Sequence, residues 1–111
     1  MKFFNKADGT SPVKDYIRSL KPNLQAKMLR QINLLRNKGN ALRSPTSKAV
    51  RDQIFELRGN VGNDQMRILY FFVQNRTVVL TNGFTKKQNK IPEKEITLAQ
   101  RYRDEYLKLN V

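Results

Sequence analysis

Three stretches decide the fold: Gln53-Ile54-Phe55-Glu56-Leu57-Arg58, Met66-Arg67-Ile68-Leu69-Tyr70-Phe71-Phe72-Val73 and Thr77-Val78-Val79-Leu80-Thr81. The first alternates with period two, which puts Phe55 and Leu57 on one strand face and Glu56 and Arg58 on the other. Side chains two apart on a strand lie about 6–7 Å from each other, so Glu56 and Arg58 are neighbours. The second stretch is apolar apart from Arg67, the pattern of a central strand covered on both faces. The third is rich in β-branched residues. Only a short polar interruption at Gln74-Asn75 precedes it, so the two runs are expected to be antiparallel neighbours. Gly59 to Asp64 reads as a turn-rich loop.

Outward from this sheet the period changes to that of helices. Met1 to Asn5 reads as a short first strand. Gly9-Thr10-Ser11-Pro12 is a helix start, with Ser11 as N-cap and Pro12 in the first turn. Val13, Tyr16, Ile17 and Leu20 then follow the spacing of one buried helical face. Pro22 begins a second helix with an apolar stripe of Leu24, Met28, Ile32 and Leu35, and Gly39 is its stop signal. Pro92 opens the last helix, with Glu93 and Glu95 placed to suit the helix dipole. Its expected buried stripe is Ile96, Ala99, Tyr102, Tyr106 and Leu109. The predicted class is α+β in the order β-α-α-β-β-β-α, a helical hairpin and a C-terminal helix on a small antiparallel sheet. Residues 1–111 read as a single domain, since a chain of 111 residues leaves no room for a second core.

Charge is the outlying feature of the composition. Lys and Arg number 22 against 9 Asp and Glu, a net charge of +13. From Tyr16 to Arg51 there are nine basic residues and no acid, and from Gln65 to Pro92 five basic residues and no acid. One-signed stretches of this kind concentrate polyanions, and phosphate backbones are the commonest polyanion. The basic residues are not confined to one amphipathic helix, which argues against a membrane-surface role. No apolar run approaches the roughly 20 residues of a membrane span. The opening Met1-Lys2-Phe3-Phe4-Asn5-Lys6 lacks the apolar core of a leader peptide, so a cytoplasmic location is expected.

The sequence holds neither Cys nor His. Disulfides, thiolate zinc sites and Ser-His or Cys-His pairs are therefore excluded, and no cofactor is expected. No Gly-rich phosphate loop precedes a Lys-Ser or Lys-Thr pair. What remains is a set of charged residues planted in apolar strands. A guanidinium there is costly unless paired or open to water. Arg58 and Arg67 either form an ion pair with Glu56 or a neighbouring acid, or reach a wet groove. Lys86 and Lys87 either crown a solvated turn or join that groove. If the strands are adjacent, the charges converge on a groove rimmed by Phe84 and by Phe71 or Phe72, an arrangement suited to a phosphodiester with a stacked base. Lys48, Arg76, Lys90 and Phe84 are the expected RNA contacts. Attack of a ribose 2′-hydroxyl on the adjacent phosphorus needs a base, neutralisation of the developing phosphorane and help for the leaving oxygen. Arg58, Arg67, Lys86 and Lys87 supply the electrostatic part. Glu56 is either the base or an orienting group for an arginine. Tyr70 and Tyr102 are weaker proton-transfer candidates that read better as core residues.

At these residues the sequence resembles a known family. Phe55-Glu56-Leu57-Arg58, Met66-Arg67-Ile68-Leu69-Tyr70-Phe71, Leu80-Thr81-Asn82-Gly83-Phe84-Thr85-Lys86-Lys87 and Ile91-Pro92 with Glu95-Ile96 and Ala99 are similar to the HigB-type toxins related to phage Gp49, within the RelE/ParE superfamily. The likeness runs from about Gln53 to Tyr106. It implies the toxin of a type II toxin–antitoxin system, a metal-independent, ribosome-dependent mRNA endonuclease that stops translation. It also implies a HigA-type helix-turn-helix antitoxin, contacts with ribosomal RNA, operator DNA only through the antitoxin, and a heterotetrameric complex. The family's arginines and lysines correspond to Arg58, Arg67, Lys86 and Lys87. Several relatives carry an active-site histidine or C-terminal tyrosine; this chain has no histidine and ends Leu109-Asn110-Val111. The same superfamily includes gyrase inhibitors, and a non-catalytic RNA- or ribosome-binding module is the third reading.

Overall fold

Strand pairing follows the alternation read in the sequence and extends it. The computed structural model describes residues 1–74 and 76–110. Five strands, β1 (Lys2–Phe3), β2 (Ser47–Arg51), β3 (Ile54–Val61), β4 (Asp64–Val73) and β5 (Thr77–Lys86), form one sheet in the spatial order β1-β5-β4-β3-β2. The central pairs are antiparallel, as expected, whereas β1 lies parallel to β5 and makes the sheet mixed. The expected Gly59–Asp64 loop is instead strand to Val61, closed by a two-residue turn in which Gly62 has φ 58°. The edge strand β2 was not expected, because its side chains are mostly exposed and leave no apolar alternation. Asp52 and Gln53, at φ 53° and 62°, link it to β3 as a primed turn whose twist matches that of the strands.

Three helices, α1 (Pro12–Ser19), α2 (Pro22–Lys38) and α3 (Glu93–Asn110), cover the sheet. Ser11 caps α1 by accepting the Lys14 N–H at 3.2 Å, and α2 ends where Gly39 takes φ 53°. The hairpin α1–α2 buries Val13, Ile17, Leu24, Met28, Ile32 and Leu35 against Leu57, Met66, Ile68, Tyr70 and Leu80. On the opposite face α3 packs Ala99 and Tyr102 over Ile54, Leu69, Phe71 and Val79. Successive β4 residues thus serve opposite layers, the two-sided burial read from that run. Leu109 departs from the expected stripe: at 83% exposed it faces water.

Two strand glycines are explained by helix approach rather than by turns. A Cβ on Gly59 would overlap the Met28 sulfur, and one on Gly83 would overlap the Tyr16 ring. The Tyr16 ring is tethered by a 2.8 Å hydroxyl hydrogen bond to Thr85, whereas the Met28 thioether is flexible. Gly83→Ala is therefore expected to cost about 1–3 kcal/mol, and Gly59→Ala less, by denaturant unfolding. Equal stability of Gly83→Ala and wild type would contradict this packing.

Candidate active site

Helix α3 covers its face of the sheet from Ile96 onward and leaves the end nearest the β3–β4 turn without a helix. Strand register stacks the polar residues of that end in three rungs. Lys48 pairs with Glu56, Arg58 with Arg67 and then Phe84, and Asn60 with Gln65 and then Lys86. The period-two alternation of β3 puts Glu56, Arg58 and Asn60 on this one face. A cavity of about 280 Å³ opens over it, lined by Glu56 and by five cations: Lys48, Arg51, Arg58, Lys86 and Lys90. Asn89 completes the polar rim.

Glu56 and Arg67 form the buried base of the site, at 4% and 2% exposure. Glu56 Oε1 accepts from Arg58 Nε at 2.6 Å and lies 3.4 Å from Arg67 Nε, an ion-pair contact without hydrogen-bond geometry. Arg67 spends its other donors on neutral oxygens, at 3.0 Å to Asn60 Oδ1, 2.8 Å to the Met66 carbonyl and 3.4 Å to Gln65 Oε1. Burial lowers the Arg67 pKa from the ordinary guanidinium value, and the charge of Glu56 opposes that shift. Two guanidiniums directly opposite on adjacent strands repel, and one carboxylate between them offsets it. Both sequence alternatives for the arginines thus meet: Arg58 is paired and also lines the cavity, while Arg67 is paired beneath it.

Lys86 ends β5 at the cavity wall, where Nζ donates to the Asn89 carbonyl at 2.8 Å. Burial lowers its pKa from 10.5, and the positive charges of Arg67, Arg58 and Lys48 add to the shift against the pull of Glu56. A lysine so placed is a better proton donor than a free one.

The remaining expected contacts divide by position. Lys48 and Lys90 line the cavity. Lys87 is exposed and does not line it, because it follows the last residue of β5. Arg76 sits at the β4–β5 turn, at the far end of β5 from Lys86, roughly 30 Å away along the strand. Phe84 is no stacking platform; it is a core residue with Ile54, Leu69 and Ala99. Phe71 packs beneath α3 against Tyr106, and Phe72 belongs to the hairpin face. Tyr102 stacks on Phe4 at 4.4 Å, and Tyr70 is buried with its hydroxyl against Ser47. Burial raises the Tyr70 pKa above 10.0, which disfavours it further as a base. Arg51, Asn60, Gln65 and Asn89 were missed. The Glu56-Arg58-Asn60 alternation is the sequence signal for Asn60, and the turn-rich composition of Gly59 to Asp64 hides it.

Among the described residues no helix is long and apolar enough to cross a membrane. A family model described as Phage derived protein Gp49-like (DUF891) matches residues 15–104, which take in the second half of α1, all of α2, strands β2 to β5 and most of α3. No curated protein sequence matches the chain.

Proposed function

We propose that this chain, which belongs to the Gp49-like family of RelE/HigB-type toxin-like proteins, is a toxin that cuts messenger RNA on the ribosome and is silenced by an antitoxin. The observation that carries the reading is the cationic cavity with one carboxylate in it, Glu56 fixed between two guanidiniums beside Lys86. Arg58, Lys48 and Lys90 hold the scissile phosphate and neutralise the charge that grows on it. Glu56 takes the proton of the 2′-hydroxyl as its oxygen bonds to phosphorus. The bond from phosphorus to the 5′-oxygen then breaks, and Lys86 protonates that leaving oxygen. The products are a 2′,3′-cyclic phosphate and a 5′-hydroxyl. Arg67 does not line the cavity and acts as a positioning residue, holding Glu56 from below.

Expression of the chain in growing cells, with and without a co-expressed antitoxin, tests the reading. It is expected to arrest growth with message cut and DNA intact, and the antitoxin to relieve the arrest. Arrest with intact message and trapped DNA breaks would instead establish a gyrase inhibitor.

The role of Lys86 has its own signature. A general acid works while protonated, so activity falls as pH rises through its pKa. With that pKa depressed, the alkaline limb of the cleavage profile is expected below the ordinary lysine value of 10.5. Lys86→Arg, which stays charged throughout, is expected to retain phosphate binding and lose that limb. An unchanged limb in Lys86→Arg would assign it to another group.

A further inference from the structure

On the other side of edge strand β2 lies a second cavity, of about 390 Å³, with an aromatic wall. We propose that it holds a nucleobase of single-stranded RNA next to the phosphate bound in the cationic cleft; the proposal rests on the RNA-cleaving reading above.

The wall has faces to offer a base. Phe55 lies parallel to Tyr70 at 5.6 Å, and Phe72 stands edge-on to both at 5.5 and 5.7 Å. Phe55 and Phe72 are only half-buried although they belong to the core side of the sheet. Every base has a π face, so such a wall takes any of them. The cavity wall also carries the hydroxyl pair of Ser47 and Tyr70. One of the two donates to the other, which leaves one O–H to give to a base edge.

The rim selects a nucleotide over an apolar peptide side chain. Its charged residues are Arg43 and Lys48, and no acid lines the cavity. Arg43 is held in place by donating from Nη1 to the Asn40 carbonyl at 2.5 Å and the Leu42 carbonyl at 3.2 Å. A guanidinium fixed at the rim of an aromatic-walled cavity suits a phosphate beside its stacked base. Continuity with the cleft adds to this: Lys48 and Ala49 line both cavities. A strand of RNA crossing the sheet edge at β2 thus passes directly from one to the other, with Lys48 between.

The test uses the whole chain and a short single-stranded RNA carrying a 2′-deoxy sugar at the scissile position, which binds without being cut. Abasic sites are placed in turn on either side of that position, and binding is read by fluorescence anisotropy. Wild type is expected to lose about ten-fold in affinity for one abasic position. Phe72→Leu is expected to lose about as much with the intact RNA and nothing more with the abasic one. Arg43→Gln, a change at the exposed rim, is expected to weaken binding several-fold with the fold intact. Equal binding of all abasic RNAs by wild type would overturn the base site while leaving the cleft's reading in place. Failure of wild type to bind the intact RNA at all would overturn the base site; the cleft's reading, which places cutting on the ribosome, is judged separately by the fragments made there. Abasic RNAs bound equally, with Phe72 ring signals shifted instead by an acidic peptide, would make the cavity a protein anchor and overturn the proposal.

Discussion

Glu56→Gln is expected to destabilise the protein by about 3–5 kcal/mol, a large part of the 5–15 kcal/mol that holds a typical domain folded. The reason is the rung of like charges that Glu56 serves. Arg58 and Arg67 are register partners on β3 and β4, and Arg67 is buried with its Nε 3.4 Å from the Glu56 carboxylate and without a hydrogen-bond partner among the described residues. Neutralising Glu56 leaves a desolvated guanidinium without a counter-charge. Removing that guanidinium as well is expected to restore most of the loss, so Glu56→Gln with Arg67→Met should be more stable than Glu56→Gln alone. Denaturant unfolding of the three proteins measures this. A cost for Glu56→Gln within about 0.5 kcal/mol of zero, the usual range of a surface change, would remove the buried ion pair from the account.

Lys86→Met is expected to give the largest loss of activity with little change in stability. Lys86 holds no carboxylate partner and is partly open to water, so its removal leaves no buried charge behind. It takes from the cleft both a cation next to the phosphate and the proton donor for the leaving oxygen. Loss of one such preorganised group commonly costs 10²–10³ in rate, and a drop of about that size is expected in single-turnover cleavage. A variant that unfolds at the wild-type denaturant midpoint and cuts at the wild-type rate would exclude Lys86 from the chemistry.

The sequence made legible whatever depends on local periodicity. Arg67 stands out because its neighbours in β4 are apolar, and the alternation of β3 already separates Glu56 and Arg58 from Phe55 and Leu57. Ser11, Pro12, Pro22 and Gly39 mark helix ends by backbone chemistry that needs no tertiary partner. Misreadings arose where tertiary packing gives a residue its meaning. Gly59 looks like a turn residue and is in fact the place where Met28 approaches the strand. Strand β2 is held by pairing with β3 while most of its side chains face water, so no apolar pattern announces it. Phe84 follows the charged rungs in sequence logic, yet α3 closes over it. Arg76 and Lys87 carry the right charge, but only strand length and strand end show that one lies far from the cleft and the other beyond its wall. The aromatic cavity behind β2 was equally hidden, since it needs the turn after α2 and three strands to exist together.

The central claim is that the cleft around Glu56, Arg58 and Lys86 cuts RNA by attack of the adjacent 2′-hydroxyl. End-group analysis of message recovered from translating ribosomes incubated with the purified chain tests it most directly. Fragments ending in a 2′,3′-cyclic phosphate, with 5′-hydroxyl partners that disappear in Lys86→Met, are the expected result. Intact message, or fragments with 3′-hydroxyl and 5′-phosphate ends, would contradict it.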